Sequence, residues 1–257
     1  MRRLLVIVPA VLLLTATPAL AKHRPAPPPS PATYDVSYPQ CGGSLPSNVT
    51  GGIVGVNNGI VLSANPCLAT EYAWAQKATT YAPAFYANTA DPGPAYSSHW
   101  PSGQQMPRVC DGTNSEACSY DYGWNAASDS FRDAAQVTSS AALAVWWLDV
   151  ETGNSWETLE AAYGQTPQAR SNDLAALQGE ISALQSFGVA TVGVYSTSYQ
   201  WTQVTGGTGQ LPSQPAWIAG TGSLATAQAN CTQTAFTGGR VVLTQYAVNG
   251  YDGDNRC

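Results

Sequence analysis

The stretch Ala144-Val145-Trp146-Trp147-Leu148-Asp149-Val150-Glu151 decides how this chain is read. A short run that is apolar on both faces marks a strand buried between two layers, as in a parallel sheet covered by helices. Two carboxylates stand at its end, two residues apart. Side chains alternate along a strand, so Asp149 and Glu151 project to the same side as Trp147. Acids held beside an indole on an apolar strand are costly to ionise, and at least one pKa is expected to rise. A general acid next to an ionised partner needs that arrangement. The competing reading is that both residues only favour the start of a helix near Ser155.

Comparable runs lie on either side, at 34–36, 53–57, 82–87, 191–196, 216–219 and 241–246, with 144–151 as the fourth of seven strands. Between them fall helical segments at 69–80, 125–139, 155–163 and 172–187. The last of these is the clearest. Leu174, Leu177, Ile181 and Leu184 form one stripe, Ser171 or Asn172 can cap the start, and Gly188 can stop it. Strands alternating with helices leave two architectures, a doubly wound sheet or a barrel. The dinucleotide-binding glycine pattern is absent: Gly51-Gly52 precedes a strand, and no helix follows Gly206-Gly207-Thr208-Gly209. The fold class expected is therefore α/β, an irregular (β/α) TIM-like barrel, disulfide-bonded and forming a single domain over 32–257.

Composition bounds the function. Charged residues make up 10 % of the 257 residues, with 8 Trp, 13 Tyr and 4 Phe, so the chain can bury enough apolar surface to fold. Residues 1–21 read as a secretory signal, with Arg2-Arg3, a short apolar run broken by Pro9, and a small-x-small end. Residues 22–31 hold five prolines and read as a tether. Losing Arg2 and Arg3 takes the formal charge from −6 to −8. An acidic chain without a basic run does not suit nucleic acid or, after signal cleavage, an anionic membrane. The expected location is extracellular and the expected state a monomer. Cys41, Cys67, Cys110, Cys118, Cys231 and Cys257 suit disulfides, with short-loop closure favouring 41–67, 110–118 and 231–257.

Other acids fall near strand ends. Asp35 lies in the first strand, and Asp252 and Asp254 follow the last. Singly, Asp35 reads as a turn former and Asp252-Gly253-Asp254-Asn255 as a tight loop or a weak calcium site. Tyr195, Tyr199, Trp201, Trp217 and Tyr246 come from the later strands and their ends, where aromatic faces beside carboxylates suit sugar rings. Trp74, Trp124 and Trp156 read as packing. Each aromatic taken alone is an ordinary core residue.

In order, Asp35-Val36-Ser37 with Gln40, Trp147-Leu148-Asp149-Val150-Glu151, Gly193-Val194-Tyr195-Ser196, Trp217-Ile218-Ala219 and Gln245-Tyr246 ahead of Asp252-Gly253 resemble the family-25 glycoside hydrolases, secreted lysozymes that cut peptidoglycan. The resemblance implies an irregular barrel that hydrolyses the β-1,4 bond between N-acetylmuramic acid and N-acetylglucosamine, without a metal or organic cofactor. It implies Glu151 as general acid, Asp149 as stabiliser or acetamido-orienting group, and Asp35 and Asp252 as the rest of the acidic cluster, with the family's last aspartate aligning to either Asp252 or Asp254. Trp147, Tyr195, Trp217, Gln245, Tyr246 and Asp254 are the expected substrate-binding residues. The third strand, Ala84-Phe85-Tyr86-Ala87-Asn88, departs from the family pattern, and a Cys110–Cys118 insertion follows it. The main rival is a barrel that binds cell-wall glycan without cutting it. A carboxylate-metal phosphoesterase lacks histidines and a basic patch, and a Ser-His-Asp hydrolase would rest on His99 without a Gly-x-Ser-x-Gly elbow.

Overall fold

The computed structural model of the chain describes residues 32–257, so the expected signal (1–21) and tether (22–31) lie outside the described residues. Eight strands close into one barrel: β1 (Ala32–Val36), β2 (Val49–Gly55), β3 (Ala84–Asn88), β4 (Trp146–Asp149), β5 (Val192–Ser196), β6 (Ala216–Ile218), β7 (Val241–Val248) and β8 (Tyr251–Arg256). Strands β1 to β7 pair in parallel, each with the next. Strand β8 runs antiparallel to both β7 and β1. The irregular barrel read from the sequence is the observed fold, and its irregularity is this last strand.

The expectation for residues 252–255 needs correction. They are the middle of β8, not a loop beyond the last strand. Asp-Gly-Asp-Asn has poor intrinsic strand preference; pairing on both sides holds it extended. Asp252 lies opposite Asp35 and Ala247, and Asp254 opposite Thr33 and Gln245. The turn from β7 is Asn249-Gly250, both at positive φ (52° and 81°), the backbone that a two-residue hairpin demands.

Five helices surround the barrel: α1 (Leu68–Ala75), α2 (Glu116–Val137), α3 (Pro167–Ser186), α4 (Ser198–Thr205) and α5 (Leu224–Asn230). Helix α3 starts earlier than its apolar stripe suggests, because Thr166 accepts from the Ala169 amide (3.1 Å) and Pro167 occupies the first turn. Helix α2 begins at Glu116, nine residues ahead of the expected start, capped by Ser115. It contains Gly123, a poor helix former that is needed for contact. A Cβ there would stand 2.0 Å from the Ala176 carbonyl oxygen of α3, and one at Gly179 would stand 2.0 Å from that of Tyr120. The helix expected over 155–163 does not form. Backbone amides of Glu157 and Thr158 donate to the Asp173 carboxylate (2.9 and 3.2 Å), and the Trp156 indole donates to the Glu151 carbonyl (2.9 Å).

Outward strand residues such as Val54, Trp146, Leu148 and Val194 pack with Leu177, Leu184 and Trp201 in the larger core. Ile53, Ala84, Trp147, Trp217 and Leu243 form a smaller core inside the barrel. Trp147 fits there because the neighbouring strand offers Gly193, where a Cβ would lie 2.3 Å from the indole. The disulfides are Cys41–Cys67, Cys110–Cys118 and Cys231–Cys257, the pairing that short-loop closure favours. Among the described residues no helix is long and apolar enough to cross a membrane.

Candidate active site

Parallel strands deliver their C-terminal ends to one mouth of the barrel. There β1 contributes Asp35, β4 contributes Asp149, and Glu151 follows two residues past the end of β4. Because β8 runs the other way, its beginning reaches the same mouth, and Asp252 sits opposite Asp35. The mouth holds a cavity of about 160 Å³ lined by Asp35, Tyr86, Asp149, Glu151, Tyr195, Trp217, Gln245 and Asp252. Three acidic segments remote in sequence thus converge on one space.

Its walls are fixed by hydrogen bonds. The Asn88 side-chain amide donates to Asp149 Oδ2 (2.8 Å), while Thr89 Oγ1 and Asn154 Nδ2 donate to the Asp149 carbonyl (2.6 and 3.1 Å). Gln245 Nε2 donates to Asp35 Oδ2 (3.1 Å), and the Tyr195 hydroxyl donates to Gln245 Oε1 (2.8 Å). Gln200, at the start of α4, accepts from the Thr152 amide (2.6 Å) and sets its side chain beside Glu151. Trp217 forms the aromatic floor, edge-on to Tyr195 (4.6 Å between centroids) and to Tyr86 (6.4 Å).

Every carboxyl group here is raised. Burial and the charge of Asp252 push Asp35 up to about 7, against the pull of the Gln245 amide. Burial, then the charges of Glu151 and Asp35, hold Asp149 well above the usual carboxylate range. Glu151 is raised by burial and drawn back by Gln200, and Asp252 is raised by burial. Acids this close share protons, so the cluster titrates as a unit and retains a proton into the neutral range. Asp149 is buried, whereas Glu151 keeps part of its surface in the cavity opening.

Seven of the ten residues singled out from the sequence line the cavity: Asp35, Asp149, Glu151, Asp252, Tyr195, Trp217 and Gln245. The other three stand elsewhere. Trp147 lies one layer deeper, its ring 5.6 Å from that of Trp217. Asp254 is buried below the cavity, where burial and the charge of Asp35 raise it well above the ordinary range. Tyr246 faces out of the barrel, since alternation along β7 that turns Gln245 inward turns its neighbour away; it packs over Gly253. Sequence reasoning did not single out Tyr86, Asn88 or Gln200. The alternation Ala84-Tyr86-Asn88 along β3 is the signal that places the first two on the inner face. Among the described residues no group of three or more His, Cys, Asp or Glu side chains is arranged to hold a metal ion.

No protein-family model matches the chain, and no curated protein matches it either. Solved structures do. A muramidase from Acremonium alcalophilum is 15 % identical with a TM-score of 0.56, over 88 % of this chain and 93 % of that one. A muramidase from Trichobolus zukalii is 14 % identical with a TM-score of 0.55, over 89 % and 94 %. A family 25 lysozyme from Aspergillus fumigatus is 13 % identical with a TM-score of 0.53, over 88 % and 92 %. At such identities the likeness is one of fold: the chain has the barrel of these enzymes over nearly all the described residues.

Proposed function

We propose that this chain is an exported glycoside hydrolase that cuts the β-1,4 bond between N-acetylmuramic acid and N-acetylglucosamine in peptidoglycan. The observation that carries the reading is the convergence of Asp35, Asp149, Glu151 and Asp252 on one aromatic-floored cavity at the C-terminal mouth of the barrel, the end where catalytic groups of such barrels gather. Shared fold with two muramidases and a lysozyme supports it. The basic-then-apolar start of the chain and the three disulfides support export.

Glu151 acts as general acid: burial raises it so that it can hold a proton, and unlike its neighbour Asp149 it keeps part of its surface exposed. It protonates the glycosidic oxygen as the bond from that oxygen to the anomeric carbon breaks. Asp149 is anchored by Asn88 through Oδ2, and Oδ1, without a hydrogen-bond partner among the described residues, is left to meet the substrate's acetamido N–H. Oriented in this way, the acetamido carbonyl attacks the anomeric carbon, and water then opens the cyclic intermediate with Glu151 taking its proton. The cavity with Trp217 as its floor is the place this reading gives to the reacting sugar ring.

A turbidity assay on purified cell walls tests this reading. Clearing by the wild-type chain is expected, and a chain that binds the walls without clearing them is the glycan-binding barrel instead.

A further inference from the structure

The larger cavity of the barrel, about 770 Å³, lies at the end opposite the carboxylate mouth. Its wall is built from the starts of β4, β5 and β7 and the end of β8, with Trp147, Val192 and Leu243 on its apolar side. The volume is in the range of small-molecule sites. The charge there is the reverse of the mouth's. Residues 32–257 carry six Lys and Arg, and two of them, Arg240 and Arg256, line this cavity, which no Asp or Glu lines.

Arg256 is a fixed group. Its strand position is set by pairing with Leu243, and Cys257 next to it is tied to Cys231. Its guanidinium lies over the Tyr81 ring, 3.8 Å from the centroid. Yet among the described residues the only ion pair is Arg132–Asp129, so neither cavity arginine has an ion-paired carboxylate. A guanidinium held in place over an aromatic ring, with no ion-paired carboxylate, is a preformed anion site.

We infer that this cavity is a second ligand site, one for a small amphiphilic anion whose acidic group meets Arg256 and Arg240 while its apolar body rests against Trp147, Val192 and Leu243. The inference does not depend on what the mouth catalyses. It differs from the mouth in sign of charge, in size and in the end of the barrel it opens from.

Titration of the purified chain with 8-anilinonaphthalene-1-sulfonate, read by fluorescence under conditions where the protein melts cooperatively, tests it. Saturable one-to-one binding is expected. Arg256→Gln and Arg240→Gln should each weaken it roughly tenfold or more, the loss of one charge-assisted contact. Glu151→Gln at the mouth should leave it unchanged, and the uncharged analogue N-phenyl-1-naphthylamine should bind far more weakly. If Arg256→Gln does not fold, Arg240→Gln carries the test, because that side chain is exposed at the rim. Absence of saturable binding, equal affinity in the folded arginine variants, or equal binding of the uncharged analogue overturns the inference.

Discussion

Two groups of carboxylates, one at the barrel mouth and one enclosed beside α2 and α3, are alike in chemistry and opposite in access. The mouth group is Asp35, Asp149, Glu151 and Asp252. The enclosed group is Asp91, Glu157, Asp173 and Glu180, every one of them fully or almost fully buried. Neither contains a residue that forms an ion pair among the described residues. In both, burial is the largest cause of raised pKa values. The enclosed acids are partly knitted into the fold: Asp173 accepts from two amides and from Thr158 Oγ1 (2.7 Å), and Glu157 from Asn114 and Asn172. Among the described residues, Asp91 and Glu180 have no hydrogen-bond partner on either carboxyl oxygen. What separates the groups is a cavity with an aromatic floor at one and sealed packing at the other. A perturbed carboxyl by itself therefore does not mark a reaction centre; perturbation together with access does.

The largest effect that sharpens this contrast is on activity. Glu151→Gln should lower cell-wall lysis by roughly 10²–10⁴-fold, the worth of a general acid, with little change in melting temperature. Glu180→Gln, equally conservative and in the sealed group, should leave lysis within about twofold of wild type, since a change remote from the reacting atoms removes no transition-state contact. If both variants lose activity alike, the contrast fails. A smaller loss is expected from Asn88→Ala, which frees the Asp149 carboxylate from its anchor: about tenfold in kcat/KM without unfolding, the scale of one charge-assisted hydrogen bond. An unchanged kcat/KM in Asn88→Ala would show that the anchor is not used.

The pH dependences follow with the same sign in both regions but different readouts. At the mouth the general acid must hold its proton, so activity should be kept at acid to neutral pH and fall on the alkaline side. In the sealed group the folded pKa values lie above the unfolded ones, so the folded state binds more protons. Stability is then greatest below the unfolded carboxylate range near 4 and falls as pH rises toward the folded values, about 8 for Asp173. Glu180→Gln replaces an acid that burial holds protonated. It should raise the melting temperature at pH 8 by a few degrees, about 1 kcal/mol or more for a chain of this size, and leave it nearly unchanged at pH 4. A melting temperature that climbs from pH 5 to pH 8 in the wild type would contradict the assignment.

The barrel was legible in the sequence because seven of its strands are apolar runs, and an apolar run needs no context to be recognised. Strand β8 was not, since Asp252, Asp254 and Asn255 carry no strand signal of their own and are held extended by β1 and β7. The pair Asn249-Gly250 was the local clue to a hairpin. Antiparallel β8 separates its two acids: Asp252 stands at the mouth, and two residues onward the strand leads down into the barrel, where Asp254 is buried. The acids at β1 and β4 were legible because charged residues are rare in this chain, 10 % of the total. Asn88 and Gln200 were not, because an amide's role depends on which acid it meets across strands. The sealed group was wholly invisible, since Asp91, Glu157, Asp173 and Glu180 are separated by loops and helices that only packing brings together.

Mass analysis of the fragments released from purified peptidoglycan bears most directly on the claim that the accessible acidic mouth is the centre of a muramidase. Fragments with N-acetylmuramic acid at the new reducing end are predicted for the wild-type chain. Fragments ending in N-acetylglucosamine, cleavage within the peptide alone, or intact glycan strands would contradict it.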